Sequence, residues 1–160
     1  MARVILICGK ICSGKTTYAE MLKKKEKAVI LSSDELMLSL FDPLLGDRHD
    51  ELARRANAYL LNMAVRLVKA DVNVILDWGF WTKAGRKETE SFFSQQGIET
   101  EWHYVRVPDE AWRRNIEKRN REVKAGQTQA YFVDEGLMKK LQARFEEPEG
   151  AEINVEYSMK

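Results

Sequence analysis

An α/β protein built on a mostly parallel sheet, with helices covering both faces, is the fold class the sequence predicts. Three observations carry it. Apolar runs of strand length alternate with helical patterns along the chain. The first junction holds Gly9-Lys10-Ile11-Cys12-Ser13-Gly14-Lys15-Thr16, which matches G-x-x-x-x-G-K-[ST] in every defined position. The polar residues of interest also fall just after apolar runs, where the carboxyl ends of parallel strands gather ligands.

The elements follow in order. Residues 3–7, Arg-Val-Ile-Leu-Ile, form an apolar run of buried-strand length. Thr16 to Lys25 reads as a helix, with Ala19 and Leu22 inward and lysines in its last turn. Ala28-Val29-Ile30-Leu31 is a second buried strand, and Ser32-Ser33-Asp34-Glu35 opens a helix to about Leu40 that Asp42-Pro43 breaks. Between Asp50 and Ala70 the residues Leu52, Ala56, Tyr59, Leu60, Met63 and Leu67 keep helical spacing, which predicts one long amphipathic helix. Val72 to Leu76 is the third strand, and a helix over about Lys83 to Gln96 is closed by Gly97. Thr100 to Val107 gives a fourth strand, and Pro108-Asp109 starts the next helix, whose basic residues run from Arg113 to Lys124 and on into Gly126-Gln127-Thr128. A helix over Asp134 to Phe145 and a short strand, Ile153 to Tyr157, complete the pattern. With no repeat, low-complexity tract or linker, residues 1–160 read as a single domain.

The loop spacing has a physical purpose. Its glycines let the chain turn so tightly that successive N–H groups face an anion, and the following helix adds the positive end of its dipole. Lys15 then reaches the β- and γ-phosphates of a nucleotide, and the Thr16 hydroxyl, beside Thr17, can hold a Mg²⁺. A turn that ends in Lys-Thr by chance is the competing reading, and the order strand, loop, helix argues against it.

Composition narrows the class without naming a substrate. A chain of 160 residues can bury a proper core. A net charge of +1 argues against a protein that coats nucleic acid, while leaving room for a local basic groove. No run approaches the roughly 18 apolar residues a membrane span needs, and the first is unlike a signal peptide. A cytoplasmic protein, as a monomer or homodimer, is expected. Cys8 and Cys12 lie in or beside the phosphate loop, and His49 and His103 are far apart, so neither a disulfide framework nor a structural metal site is expected.

Two acids carry the chemistry. Asp34 follows the second strand, where a carboxylate can face the γ-phosphate across the cleft and take a proton from an attacking hydroxyl. The bland alternative is strong here, because Ser32 with Glu35 three residues on is a capping box and an acid in a first turn is favoured by the dipole. Asp77 closes the third strand in the manner of an acid that holds Mg²⁺, although Asp also ends buried strands simply by starting turns.

Together, the phosphate loop, Ser33-Asp34-Glu35, Leu76-Asp77-Trp78-Gly79-Phe80-Trp81 with Arg86, and Arg119-Asn120-Arg121 resemble the small P-loop kinase-like family of bacterial AAA family ATPases. That family is related to polynucleotide kinase, chloramphenicol phosphotransferase and the zeta toxins, and the resemblance covers nearly the whole chain. It implies a three-layer fold with five parallel strands in the order 2-3-1-4-5, Asp34 as general base, and a mobile lid that supplies arginines to the phosphates. The basic segment at about 114–130 falls where the lid should be, with Gly126 to give it play. Arg119 is the expected clamp, because a planar fork grips a phosphoryl group bidentately; Arg114 and Arg121 compete with it. A solvated helix face would explain the same charges. Larger nucleotide kinases continue beyond the fifth strand to build an adenine pocket, so loose base selectivity is expected.

The acceptor is less legible. Trp78, Phe80, Trp81 and Tyr59 could wall an apolar or stacking surface near Asp34, although large aromatics more often fill cores. Arg48, Arg54, Arg55 and Arg86 could hold acceptor phosphate or be surface charge. The reading is an ATP- and Mg²⁺-dependent phosphotransferase acting on a small-molecule hydroxyl, with Lys15, Asp34 and Arg119 catalytic. Thr16 and Asp77 would hold the metal, and Asp34, Asp77, Trp78 and Arg86 would meet the acceptor. A nucleic-acid 5′-end kinase and a non-catalytic nucleotide switch are the alternatives.

Overall fold

The computed structural model describes residues 1–42, 45–127 and 132–158. Five strands, β1 (Val4–Cys8), β2 (Ala28–Ile30), β3 (Asn73–Gly79), β4 (Thr100–Arg106) and β5 (Val155–Ser158), form one parallel sheet in the order β2-β3-β1-β4-β5. The helices between them are α1 (Lys15–Glu26), α2 (Ser33–Leu40), α3 (His49–Lys69), α4 (Lys83–Gln95), α5 (Asp109–Lys124) and α6 (Glu135–Arg144). Short 3₁₀ turns occupy Gly46–Arg48 and Gly150–Glu152. Pro43 and the 128–130 end of the expected lid lie outside the described residues. Among the described residues no helix is long and apolar enough to cross a membrane.

The central strand explains the layering. All five β1 residues are buried, as expected of a parallel strand covered on both faces. Since successive side chains alternate, Ile5 and Ile7 meet Tyr18, Ala19 and Leu22 of α1. Val4, Leu6 and Cys8 turn the other way, into a cluster with Ala64 and Val65 of α3 and Phe93 of α4. A third cluster, of Cys12, Val107, Trp112, Ile116, Val133 and Met138, joins the phosphate loop to α5 and α6. Buried His103 is satisfied within the core, with Nδ1 at 2.6 Å from the Tyr18 hydroxyl and Nε2 at 2.7 Å from Glu101.

Two readings change. Strand β3 runs to Gly79, past the end expected at Leu76, because Cys8 of β1 still pairs with Gly79 after the register slips by one residue beyond the Leu6–Leu76 pair, and pairing continues regardless of side-chain polarity. Asp77 and Trp78 are therefore strand residues. In α3 the buried stripe is Leu60, Ala64 and Val65, while Tyr59 is 56% exposed, so the helix is rotated from the inward set that spacing alone suggested.

Candidate active site

The phosphate loop leaves β1 at Gly9 and enters α1 at Lys15. Cys12 and Gly14 take positive φ values of 57° and 96°, the left-handed conformations that interrupt an ordinary turn and let neighbouring amides converge. Gly9 is needed for space, since a Cβ there would lie 2.8 Å from Ser13 Oγ and 2.9 Å from the Val105 carbonyl. The Lys10 carbonyl accepts from Ser13 N at 3.2 Å and from Lys15 Nζ at 2.6 Å. Burial pushes the Lys15 ammonium down to about 8, against the opposing pull of Asp34 and Asp77. Ser13 Oγ is buried and has no hydrogen-bond partner among the described residues. Thr16 and Thr17 are exposed in the first turn of α1.

The two acids converge electrostatically on this lysine. Ser32 caps α2, its Oγ accepting from Glu35 N at 3.2 Å, which leaves Asp34 exposed in the first turn. Ser32 thus caps the helix while Asp34, two residues on, remains exposed. Asp77 is half-buried, and burial pushes its carboxyl up to about 6; Lys15 draws it down while Asp34 and Glu35 push it further up. Ser33 Oγ donates to Asn57 Oδ1, which ties the start of α2 to α3.

Helix α5 closes the other side of the loop. Trp112 Nε1 donates to the Ile11 carbonyl at 2.6 Å, and Asn115 Nδ2 donates to the Cys12 carbonyl at 2.9 Å. Lys10 Nζ sits 3.6 Å from Asp109 and 4.8 Å from the Trp112 ring centroid. One turn beyond Asn115, the charge of Arg119 acts on both Lys15 and Cys12. Arg121 is exposed two residues further on, about 200° around the helix, and Arg114 is exposed as well, so the structure brings Arg119 and not these two to the loop. Trp112 and Asn115 escaped the sequence reading. Their signal was a stripe at 112, 115, 116, 119 and 120 with helical spacing toward one neighbour.

The acceptor residues need correction. Arg86 is 3% exposed, its Nη1 donating to the Phe80 carbonyl at 2.8 Å and its Nε to Glu152 at 3.2 Å. A guanidinium so enclosed and so partnered supports the chain instead of meeting an acceptor. It braces a tight exit from β3, where Gly79 and Phe80 have φ values of 85° and 47°. That exit abuts the loop, because Gly9 N donates to the Gly79 carbonyl at 3.0 Å. Trp78 spends its indole N–H on the Leu31 carbonyl at 2.8 Å and packs against the core, stacked at 5.7 Å on Phe80. Phe80 in turn meets Trp102 edge-on at 5.0 Å, so Phe80 and Trp102 belong to the core and Trp78, half-buried, packs against it.

Comparison with known proteins agrees with the topology. Among solved structures, a putative kinase from Chloroflexus aurantiacus superposes with a TM-score of 0.75 at 15% identity, covering 99% of this chain and 87% of that one. The APS kinase of Mycobacterium tuberculosis, solved with AMPPNP and APS, gives 0.69 at 16% identity over 98% and 88% of the two chains. A component of the Pnkp1/Rnl/Hen1 RNA repair complex gives 0.71 at 19%, over 89% of this chain and 43% of that one. No curated protein matches the sequence. At these identities the likeness shows the fold alone. The family model described as AAA domain matches residues 4–148, and with the parallel order β2-β3-β1-β4-β5 around a phosphate loop the chain belongs to the AAA domain family in its P-loop kinase-like form.

Proposed function

We propose that the protein is an ATP-dependent phosphotransferase that moves the γ-phosphoryl group onto the hydroxyl of a small molecule. The observation that carries this reading is that the charges of Asp34, Asp77 and Arg119 all act on Lys15, the lysine of the phosphate loop. A nucleotide switch needs the loop and its lysine; it has no use for an exposed acid acting on that lysine. The kinase-like neighbours, one of them solved with an ATP analogue, support the same assignment.

The residues divide the work. The loop amides and Lys15 bind the β- and γ-phosphates, and Arg119 balances the charge that spreads over the moving group. Asp34 takes the acceptor's proton as its oxygen forms the new P–O bond and the bond to the β,γ-bridging oxygen breaks, which releases ADP. Thr16 and Asp77 offer one hydroxyl and one carboxylate, a sparse oxygen set of the kind that holds Mg²⁺ when phosphates and water complete its shell. Bound there, Mg²⁺ would supply charge neutralisation to the phosphates.

One observation favours a second reading. Arg113, Arg114, Lys118, Arg121 and Lys124 are exposed along α5, a basic face that a nucleic-acid 5′-hydroxyl acceptor would use. The deciding experiment incubates the protein with γ-labelled MgATP and, separately, a fractionated pool of hydroxylated metabolites and antibiotics or a 5′-hydroxyl oligonucleotide. Label in a small molecule is expected. Label on the oligonucleotide would establish the second reading, and tight MgATP binding with transfer to neither would make the protein a switch.

A further inference from the structure

Helix α5 contacts the outer rim of the phosphate loop through two donors whose acceptors are consecutive loop carbonyls. Trp112 Nε1 holds the oxygen of Ile11 at 2.6 Å, and Asn115 Nδ2 holds that of Cys12 at 2.9 Å. In a planar trans peptide the carbonyl and the next residue's N–H point in opposite directions. Drawing the Ile11 oxygen toward α5 therefore turns the Cys12 N–H away from α5, and drawing the Cys12 oxygen does the same for the Ser13 N–H. The second direction is visible, since Ser13 N donates across the loop to the Lys10 carbonyl at 3.2 Å, an acceptor it would exchange for a phosphate as Lys15 would.

We propose that Trp112 and Asn115 are positioning residues that hold the loop's carbonyls outward and so preset its amides for phosphate. This inference rests on the nucleotide-binding part of the function proposed above. Cys12 sits at φ 57°, a conformation that costs a non-glycine residue energy unless its surroundings enforce it. One hydrogen bond on each side of that residue, and its packing with Trp112 and Ile116, provide the enforcement. The same helix face carries Arg119, whose charge acts on Lys15. Farther along, Asn120 exchanges two hydrogen bonds with the Val133 backbone, which anchors α5 to the segment that leads into α6. The loop carbonyls and the backbone that carries Arg119 are thereby tied to one helix.

Asn115→Asp tests this with little change of shape, because the carboxylate cannot donate and faces a carbonyl. Asn115→Ala removes the donor alone, and Trp112→Phe keeps a ring while removing its N–H. Phe93→Leu, on the buried face of α4, serves as a control that lowers stability without touching the loop. Two quantities are read for each protein: the affinity for MgATP and for inorganic tripolyphosphate by calorimetry, and the rate of Cys12 alkylation without ligand, mapped by mass spectrometry. Loss of one neutral hydrogen bond should weaken both ligands by about fivefold in Asn115→Ala, and more in Asn115→Asp. Cys12 labelling should accelerate by a similar factor, whereas Phe93→Leu should melt earlier and bind both ligands as wild type does. If wild type binds neither ligand but the Asn115 variants still speed Cys12 labelling, the proposed function falls and the clamp stands. Wild-type affinity together with wild-type labelling in both Asn115 variants would overturn the clamp.

Discussion

The Lys15 ammonium donates to the Lys10 carbonyl at 2.6 Å, so the lysine of the phosphate loop is folded back on the loop it serves. Its second draw is electrostatic, toward Asp34 and Asp77 across the cleft. A phosphate offers the same ammonium a full negative charge, which favours exchange of the carbonyl for the ligand.

MgATP should therefore stabilise the fold. A ligand that binds only the native state adds about 2.7 kcal/mol at 100 times its dissociation constant, or roughly 5–10 °C for a domain of this size. Lys15→Ala should lose most of that shift in a thermal scan. A wild-type melting curve that ignores millimolar MgATP would remove the central reading.

Asp77 gives a pH signature. Its folded carboxyl is raised to about 6 from 3.8, so the native state favours the protonated form. The associated stability is fully present below about pH 4 and is lost as pH rises through about 6. Asp77→Asn removes the buried charge and should raise the nucleotide-free melting temperature at pH 7.5, by about 1–2 kcal/mol in stability once solvent screening is allowed for. That advantage should close by pH 4, while Mg²⁺-dependent nucleotide binding weakens. Melting curves from pH 3.5 to 8 check the sign, and a variant less stable than wild type at pH 7.5 would contradict it.

Asp34 separates kinase from switch. Asp34→Asn keeps the size of the side chain and cannot accept a proton, so transfer should fall roughly 10² to 10⁴-fold. MgATP affinity should barely change, because in this reading Asp34 serves the acceptor hydroxyl and not the phosphates. The variant's MgATP-induced thermal shift must accompany its rate, so that loss of fold is not mistaken for loss of chemistry. Full transfer by a normally folded Asp34→Asn protein would leave Asp34 as no more than a first-turn acid.

Arg86 now predicts stability. Arg86→Met strips one hydrogen bond from the Phe80 carbonyl and the partner from Glu152, and should cost about 2–4 kcal/mol, with Glu152's remaining solvent contact tempering the loss. Chemical denaturation measures it. An intact fold with only the acceptor's KM raised would restore Arg86 to the acceptor site.

The phosphate loop, the alternation of strand and helix, and the capped acid at Asp34 were legible in the sequence because each is local. Loop geometry needs glycines at set spacings, a buried parallel strand needs an unbroken apolar run, and a helix start needs a side-chain acceptor; neighbours along the chain supply all three. Arg119 was also legible as a candidate, though only the turn of α5 separates it from Arg114 and Arg121.

What tertiary structure decided is how long-range partners use polar and aromatic groups. Arg86 read as an acceptor-binding cation until Phe80 and Glu152, the latter 66 positions away, enclosed it. Trp78 looked like a ligand wall until the Leu31 carbonyl, 47 positions back, took its N–H. Asp77 became a strand residue because β1 continued its ladder to Gly79. Trp112 and Asn115 found their acceptors 101 and 103 positions earlier in the chain. A side chain's pattern of donors is written in its own residue type, but which carbonyl receives them depends on packing that brings distant segments within 3 Å, and no local spacing encodes that.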